Sequence, residues 1–151
     1  MSRYDTDILE WSGRQADLLR RLGAGEKVND QVDWENIAEE IESLGQSERR
    51  GLARHIRTVI EHLAKLEASP ASEPRIGWRE TVMRTRLDIQ DLLNSSPSLR
   101  PTLSVVVSEQ MPRGLKLATA ALALYGETPR VKMQRLSYTA DQITSDWFPA
   151  D

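Results

Sequence analysis

Cysteine is absent from the 151 residues, and with it go disulfide cross-links, thiolate zinc sites and cysteine nucleophiles. Histidine occurs only as His55 and His62, and aromatic residues make up 5% of the chain, with Phe148 the single phenylalanine. At that density the four tryptophans and Phe148 read as core and capping residues rather than as a ligand cage. No stretch of eighteen apolar residues occurs, and the start, MSRYDTDILEW, lacks a basic segment leading into an apolar one. Neither a membrane span nor a secretion signal is expected, and the default reading is a cytoplasmic protein with no membrane partner. A dominant charge is missing too: the net value is -3, too small to draw nucleic acid or an anionic membrane by a whole-molecule field. The Gly-x-x-x-x-Gly-Lys-Ser/Thr phosphate loop, the dinucleotide fingerprint and the Gly-x-Ser-x-Gly elbow do not occur. Nucleotide chemistry has no visible anchor, and no cofactor is implied.

What remains is patterned for helices. Apolar residues at 39% and charged ones at 28% suit a folded globular chain, and 151 residues suit a single domain spanning 1–151. A first helix starts near Asp5 or Thr6, carries Ile8, Trp11, Gln15, Leu18 and Leu22 at spacings of three and four, and ends by Gly23. After the loop GAGEKVNDQV, Asp33 is placed to cap a second helix with the apolar face Ile37, Ile41, Leu44, Leu52, Val59 and Leu66. Continuous to Lys65, it is about 50 Å long. Gly45 and Gly51 weaken it by ~1 kcal/mol each relative to alanine without forcing a stop. The stretch ASPASEP, Ala68 to Pro74, is the clearest turn. A third helix then points Trp78, Val82, Ile89 and Leu93 inward. Ser96 followed by Pro97 opens a fourth, which passes Leu99, Leu103 and Val106 on the way to Tyr125. Pro112 in its middle predicts a kink or a break near Met111. Thr139 with Gln142 forms a capping-box pattern before a short last helix ending at Trp147 to Pro149. Short connections favour antiparallel neighbours, so the expected fold is all-α, an antiparallel up-and-down bundle of about four long helices plus a short C-terminal helix.

Charge is laid down in blocks. Asp33 to Glu48 holds six acids and no base, and Arg49 to Arg57 holds four arginines and no acid. Folding back at Ala71 sets Asp88 and Asp91 level with Arg57 and Arg54, while the turn near Val28 brings Arg14, Arg20 and Arg21 toward Glu42, Glu39 and Glu35. Interhelix ion pairs are the expectation. A second pattern lies on the same helix: Trp34, Ile41, Glu48, His55 and His62 are seven apart, which sets two histidines and a glutamate in register with the core face. Buried titratable groups gather at functional sites, so Glu48, His55 and His62 are the candidate acid–base strip. Seven residues is about 10.5 Å along a helix, too far for the two histidines to share a metal. Neither Glu-x-x-His nor His-Glu-x-x-His occurs, so no metal is expected and structural histidines are favoured.

Two surfaces complete the candidates. Arg75, Arg79, Arg84 and Arg86 with Trp78 could form a basic patch with a stacking platform, but Glu61, Glu67 and Asp88 within reach argue against nucleic acid. The segment LKLATAALALY is apolar on most sides, so Leu115, Leu117, Leu122, Leu124 and Tyr125 are either central to the bundle or a subunit contact.

The segments YDTDILEW, DWENIAEEIESLGQSERR, SSPSLRP and YTADQITSDWFP, in that order, resemble the bacterial DUF29 family over essentially the whole chain. The resemblance implies a compact all-helical fold with no established activity, so no catalytic or binding residue carries over from it. Pro112 departs from the family pattern in its stretch. The resulting expectation is a module that leans away from catalysis and binds an unknown protein or itself as a homo-oligomer. The rival is a small-ligand protein or enzyme using His62 or His55 as acid or base beside Glu48, and nucleic-acid binding through Arg75 to Arg86 comes third.

Overall fold

Two caps placed back to back shape the beginning of the chain. In the computed structural model, which describes residues 2–151, Ser2 and Asp5 form a reciprocal capping box around a short helix α1, Arg3–Thr6. Asp7 then caps a separate helix α2, Ile8–Gly23, by accepting from the Glu10 backbone N–H at 2.9 Å. The single start expected at Asp5 or Thr6 is therefore replaced by a start at Asp7. Gly25, with φ +93, closes the end of α2 in a left-handed turn that alanine would strain. Helix α3 runs Trp34–Ala68, α4 Arg75–Ser95, α5 Leu103–Leu124 and α6 Ala140–Thr144, with 3₁₀ turns at Asn29–Gln31, Pro97–Thr102 and Met133–Arg135. No strand occurs among the described residues, and the expected all-helical fold with four long helices is present.

The chain forms two compact units, one ending at Ser47 and one running from Glu48 to Asp151. In the first, α2 buries Trp11, Gln15 and Leu18, and a small core joins Leu18 to Val28 and Val32. Asp33 organises the entry to α3. Its carboxylate accepts from the Trp11 indole at 3.0 Å and the Asn36 amide at 2.8 Å, and its backbone N–H donates to Gln15 at 2.8 Å. Those donors, Asn36 first, hold the carboxyl below its ordinary range. Tyr4 donates to Glu40 at 2.5 Å, a bond that pushes the phenol up to about 12.

The second unit holds the main core. Leu52, Ile56, Val59, Ile60, Leu63 and Leu66 of α3 are all fully buried, against Val82, Ile89 and Leu93 of α4 and Val107, Ala118 and Leu122 of α5. Contacts fix the directions. Glu48 meets Ser96 and Lys65 lies over Trp78, so α4 runs back along α3. Arg57 donates to Gln110 and Ser69 to Glu127, so α5 runs forward again, which is up-down-up. Gly114 marks the closest approach of α5 to α3, since a Cβ there would lie 2.5 Å from Ile60 Cγ2.

Proline behaves in two ways. Pro97 does not open the fourth long helix as expected: it starts a separate 3₁₀ turn, Ser96 spends its hydroxyl on Glu48 rather than on a cap, and α5 begins only at Leu103. Pro112, expected to kink or break its helix, leaves α5 unbroken. Pro112 and Ser108 are both exposed, so the carbonyl deprived of its donor lies on the wet side, where water can serve it. The capping box of Thr139 and Gln142 forms as read, with bonds of 3.1 and 2.9 Å, although α6 stops at Thr144, short of Trp147.

Candidate functional site

The polar strip of α3 does not face the core. Trp34 and Ile41 are 52% and 66% exposed, and Glu48, His55 and His62 are half-buried at the margin. The reason is helical phase. A straight helix drifts ~20° per seven residues, so a series from 34 to 62 rolls ~80° around the axis and cannot stay on one face. The buried face is carried instead by Leu52, Ile56, Val59, Ile60 and Leu63.

Each member of the strip has its own surroundings. Glu48 accepts from Ser96 Oγ at 3.2 Å. His62 Nδ1 lies 2.9 Å from the Thr58 carbonyl, which can only accept, so the ring proton sits on Nδ1 and the Nε2 lone pair is left over. Burial pushes the His62 pKa down, with Lys65 acting the same way, against the opposing pull of the Thr58 carbonyl and Glu61. His62 thus donates from Nδ1, and burial disfavours its charged form. The three groups are not brought together, and no cluster of three metal-ligating residues occurs among the described residues.

Three of the four arginines meet at the C-terminal residues, where Arg79 and Arg86 each lie 4.8 Å from the Phe148 ring centre. Arg75 and Arg79 both donate to Asp151, at 3.1 and 2.9 Å, and Arg84 pairs with Glu80 one turn earlier at 3.0 Å. Arg86, expected on a surface patch, is 8% exposed. Its guanidinium donates to the backbone carbonyls of Ile143, Gln142 and Trp147 and stacks 4.8 Å from the Phe148 ring centre. Burial lowers its pKa against the pull of Asp146. Trp78 is half-buried, with the Lys65 ammonium 5.9 Å from its ring centre. The interhelix ion pairs expected of Arg54 and Arg57 with Asp91 and Asp88 do not form among the described residues. Arg57 bonds Gln110 instead, and Arg21 pairs with Glu26 rather than with α3.

The apolar end of α5 divides. Leu122 is buried and Leu115 half-buried in the core, while Leu117, Leu124 and Tyr125 are 44%, 86% and 79% exposed. A stronger exposed set lies where core had been expected: on α3, Ile41 and Leu44 are 66% and 69% exposed beside Trp34. Helical spacing sets Ile41 and Leu44 among the inward residues, and spacing alone carries no sign that the face is left open. The second unit also holds two surface clefts, of about 900 Å³ beside Arg86, Leu87, Leu103 and Phe148, and of about 550 Å³ beside Trp78 and Tyr125. No described helix is long and apolar enough to cross a membrane.

Comparison with known proteins bears on the fold more than on the site. The family described as domain of unknown function DUF29 matches residues 3–148. An α-helical protein of unknown function from Rhodospirillum rubrum, known from a crystal structure, is 26% identical with a TM-score of 0.65, over 99% of this chain and 93% of that one. No curated protein matches.

Proposed function

The chain belongs to the DUF29 family, and from that premise we propose that it works by association with protein, a second copy covering the open apolar face of α3. The observation that carries this is the balance of the first unit. Its buried hydrophobic residues are Trp11, Leu18, Val28 and Val32, whereas Trp34, Ile41 and Leu44 on α3 and Ile8 and Leu9 on α2 are all at least half exposed. A unit of this size has little core of its own, and large apolar side chains left in water at helical spacing are the ordinary mark of an interface. A second copy offers the same strip, as an isologous contact requires. Leu117, Leu124 and Tyr125 on α5 are a further apolar group that the same mode of action can use.

The test replaces Ile41 and Leu44 by lysine. Both side chains are exposed, so the variant should keep its helical circular dichroism and lose the dimer in light scattering after gel filtration. A variant that stays as associated as the parent removes α3 from the interface.

A small-ligand or catalytic role is the second reading, and the Nδ1 hydrogen bond of His62 favours it. An imidazole that donates from Nδ1 to the Thr58 carbonyl keeps Nε2 for a proton or a ligand hydrogen bond. Native mass spectrometry tests this directly: a retained adduct that vanishes on His62→Gln supports it, and an adduct unaffected by that change counts against it.

A further inference from the structure

Five residues after the end of α3, the chain bends back through Glu73 and Pro74 into α4, and the end of α5 comes beside this turn. Between them lies the cleft of about 550 Å³, whose wall includes Glu73, Pro74, Trp78, Tyr125 and Glu127. Its chemistry is one-sided. Two aromatic rings and two carboxylates line it, and no lysine, arginine or histidine does. The C-terminus of α5 and the N-terminus of α4 both abut the wall, so the two helix dipoles oppose each other there and the side chains set its sign.

The carboxylates are not absorbed by internal ion pairs. Glu127 uses Oε2 to accept from Ser69 Oγ at 2.8 Å, and Ser69, fully buried, accepts in turn from the Ala71 backbone N–H at 3.1 Å. This chain orients Glu127 and leaves Oε1 available. The nearby Lys65 is itself matched by Glu61 at 2.9 Å, so it does not neutralise the cleft. Lys65 also shows what the Trp78 ring accepts, since its ammonium already sits 5.9 Å from the ring centre.

We propose that this cleft binds an organic ammonium group, with Trp78 and Tyr125 receiving the alkylated cation and Glu127 and Glu73 balancing its charge. Aromatic faces and carboxylates favour the same sign, and aromatic rings select an alkylated cation over a strongly hydrated metal ion. The volume suits a small amine or one amino-acid side chain. The ammonium could therefore belong to a free metabolite or to a lysine on a peptide. The proposal does not rest on the α3 strip, to which none of these residues belongs.

The experiment follows the Trp78 indole N–H by NMR, assigned with Trp78→Phe, during titration with choline, putrescine and a blocked lysine amide, each matched against sodium chloride of equal ionic strength. Saturable movement of Trp78 with at least one amine, and not with salt, is the expected result. Tyr125→Ala and Glu127→Gln should each weaken it by about tenfold, and Glu73→Gln by less. Preference for the free amines or for the blocked lysine identifies the source of the cation. Tyr125 and Glu73 are exposed, so their variants stay folded even if Glu127→Gln does not. Movement equal to that in salt, or binding unchanged in Tyr125→Ala and Glu73→Gln together, overturns the proposal.

Discussion

Replacing Gly114 by alanine adds one methyl group where α5 crosses α3. An ideal Cβ at this position lies 2.5 Å from Ile60 Cγ2, 2.7 Å from Ile60 Cβ and 3.2 Å from the Arg57 carbonyl oxygen. Carbon atoms pack at about 3.5–4.0 Å, so the helices must part by roughly 1 Å or more. A rotamer change at Ile60 cannot relieve the clash, because its Cβ is fixed to the α3 backbone. Overpacking of this kind costs about 1–3 kcal/mol, and the rigid contact puts Gly114 near the upper end. Alanine returns up to about 1 kcal/mol as a better helix former, leaving a net loss of roughly 2 kcal/mol. Gly51 supplies the control within the same unit: its Cβ would meet nothing nearer than Leu92 Cδ2 at 3.9 Å. Gly51→Ala should therefore stabilise, by up to about 1 kcal/mol. Urea unfolding followed by circular dichroism measures both. Equal or greater stability in Gly114→Ala would refute the close α3–α5 crossing.

Further outcomes follow from single side chains. Arg86→Leu removes the donors to three backbone carbonyls and should destabilise by about 2–4 kcal/mol, with hydrogen exchange rising first around residues 142–147; unchanged exchange there would contradict the role of Arg86 as the anchor of that segment. The His62 pKa is depressed in the fold, so its contribution is intact above the unfolded value near 6.5 and is lost as pH falls through the folded one. Stability measured between pH 7 and pH 5 should fall less steeply in His62→Gln than in the parent, and parallel slopes would exclude His62 as a source of the acid sensitivity.

Local signals in the sequence were readable where local chemistry decides the outcome. The turn from Ala68 to Pro74 and the Thr139–Gln142 box each rest on neighbours within a few residues, and each forms as expected. Asp7 was overlooked because two caps in succession look like one long helix from spacing alone. The helix does not break at Pro112 because the freed carbonyl faces water, a tertiary fact. Arg86 shows the limit most clearly: its carbonyl partners lie 56 to 61 residues away, and nothing near it in the chain announces them. For the candidate strip, a seven-residue spacing was treated as one face, although an unsupercoiled helix turns away from it. Trp34, Ile41 and Leu44 carry the period of a core face, and period cannot say whether a partner from the same chain is present to cover it.

Sedimentation equilibrium of the parent protein across micromolar to hundred-micromolar concentrations tests self-association most directly. The account predicts a reversible monomer–dimer equilibrium, shifted fully to monomer by Ile41→Lys with Leu44→Lys. A parent chain that remains a 17.1 kDa monomer at the highest concentration contradicts it.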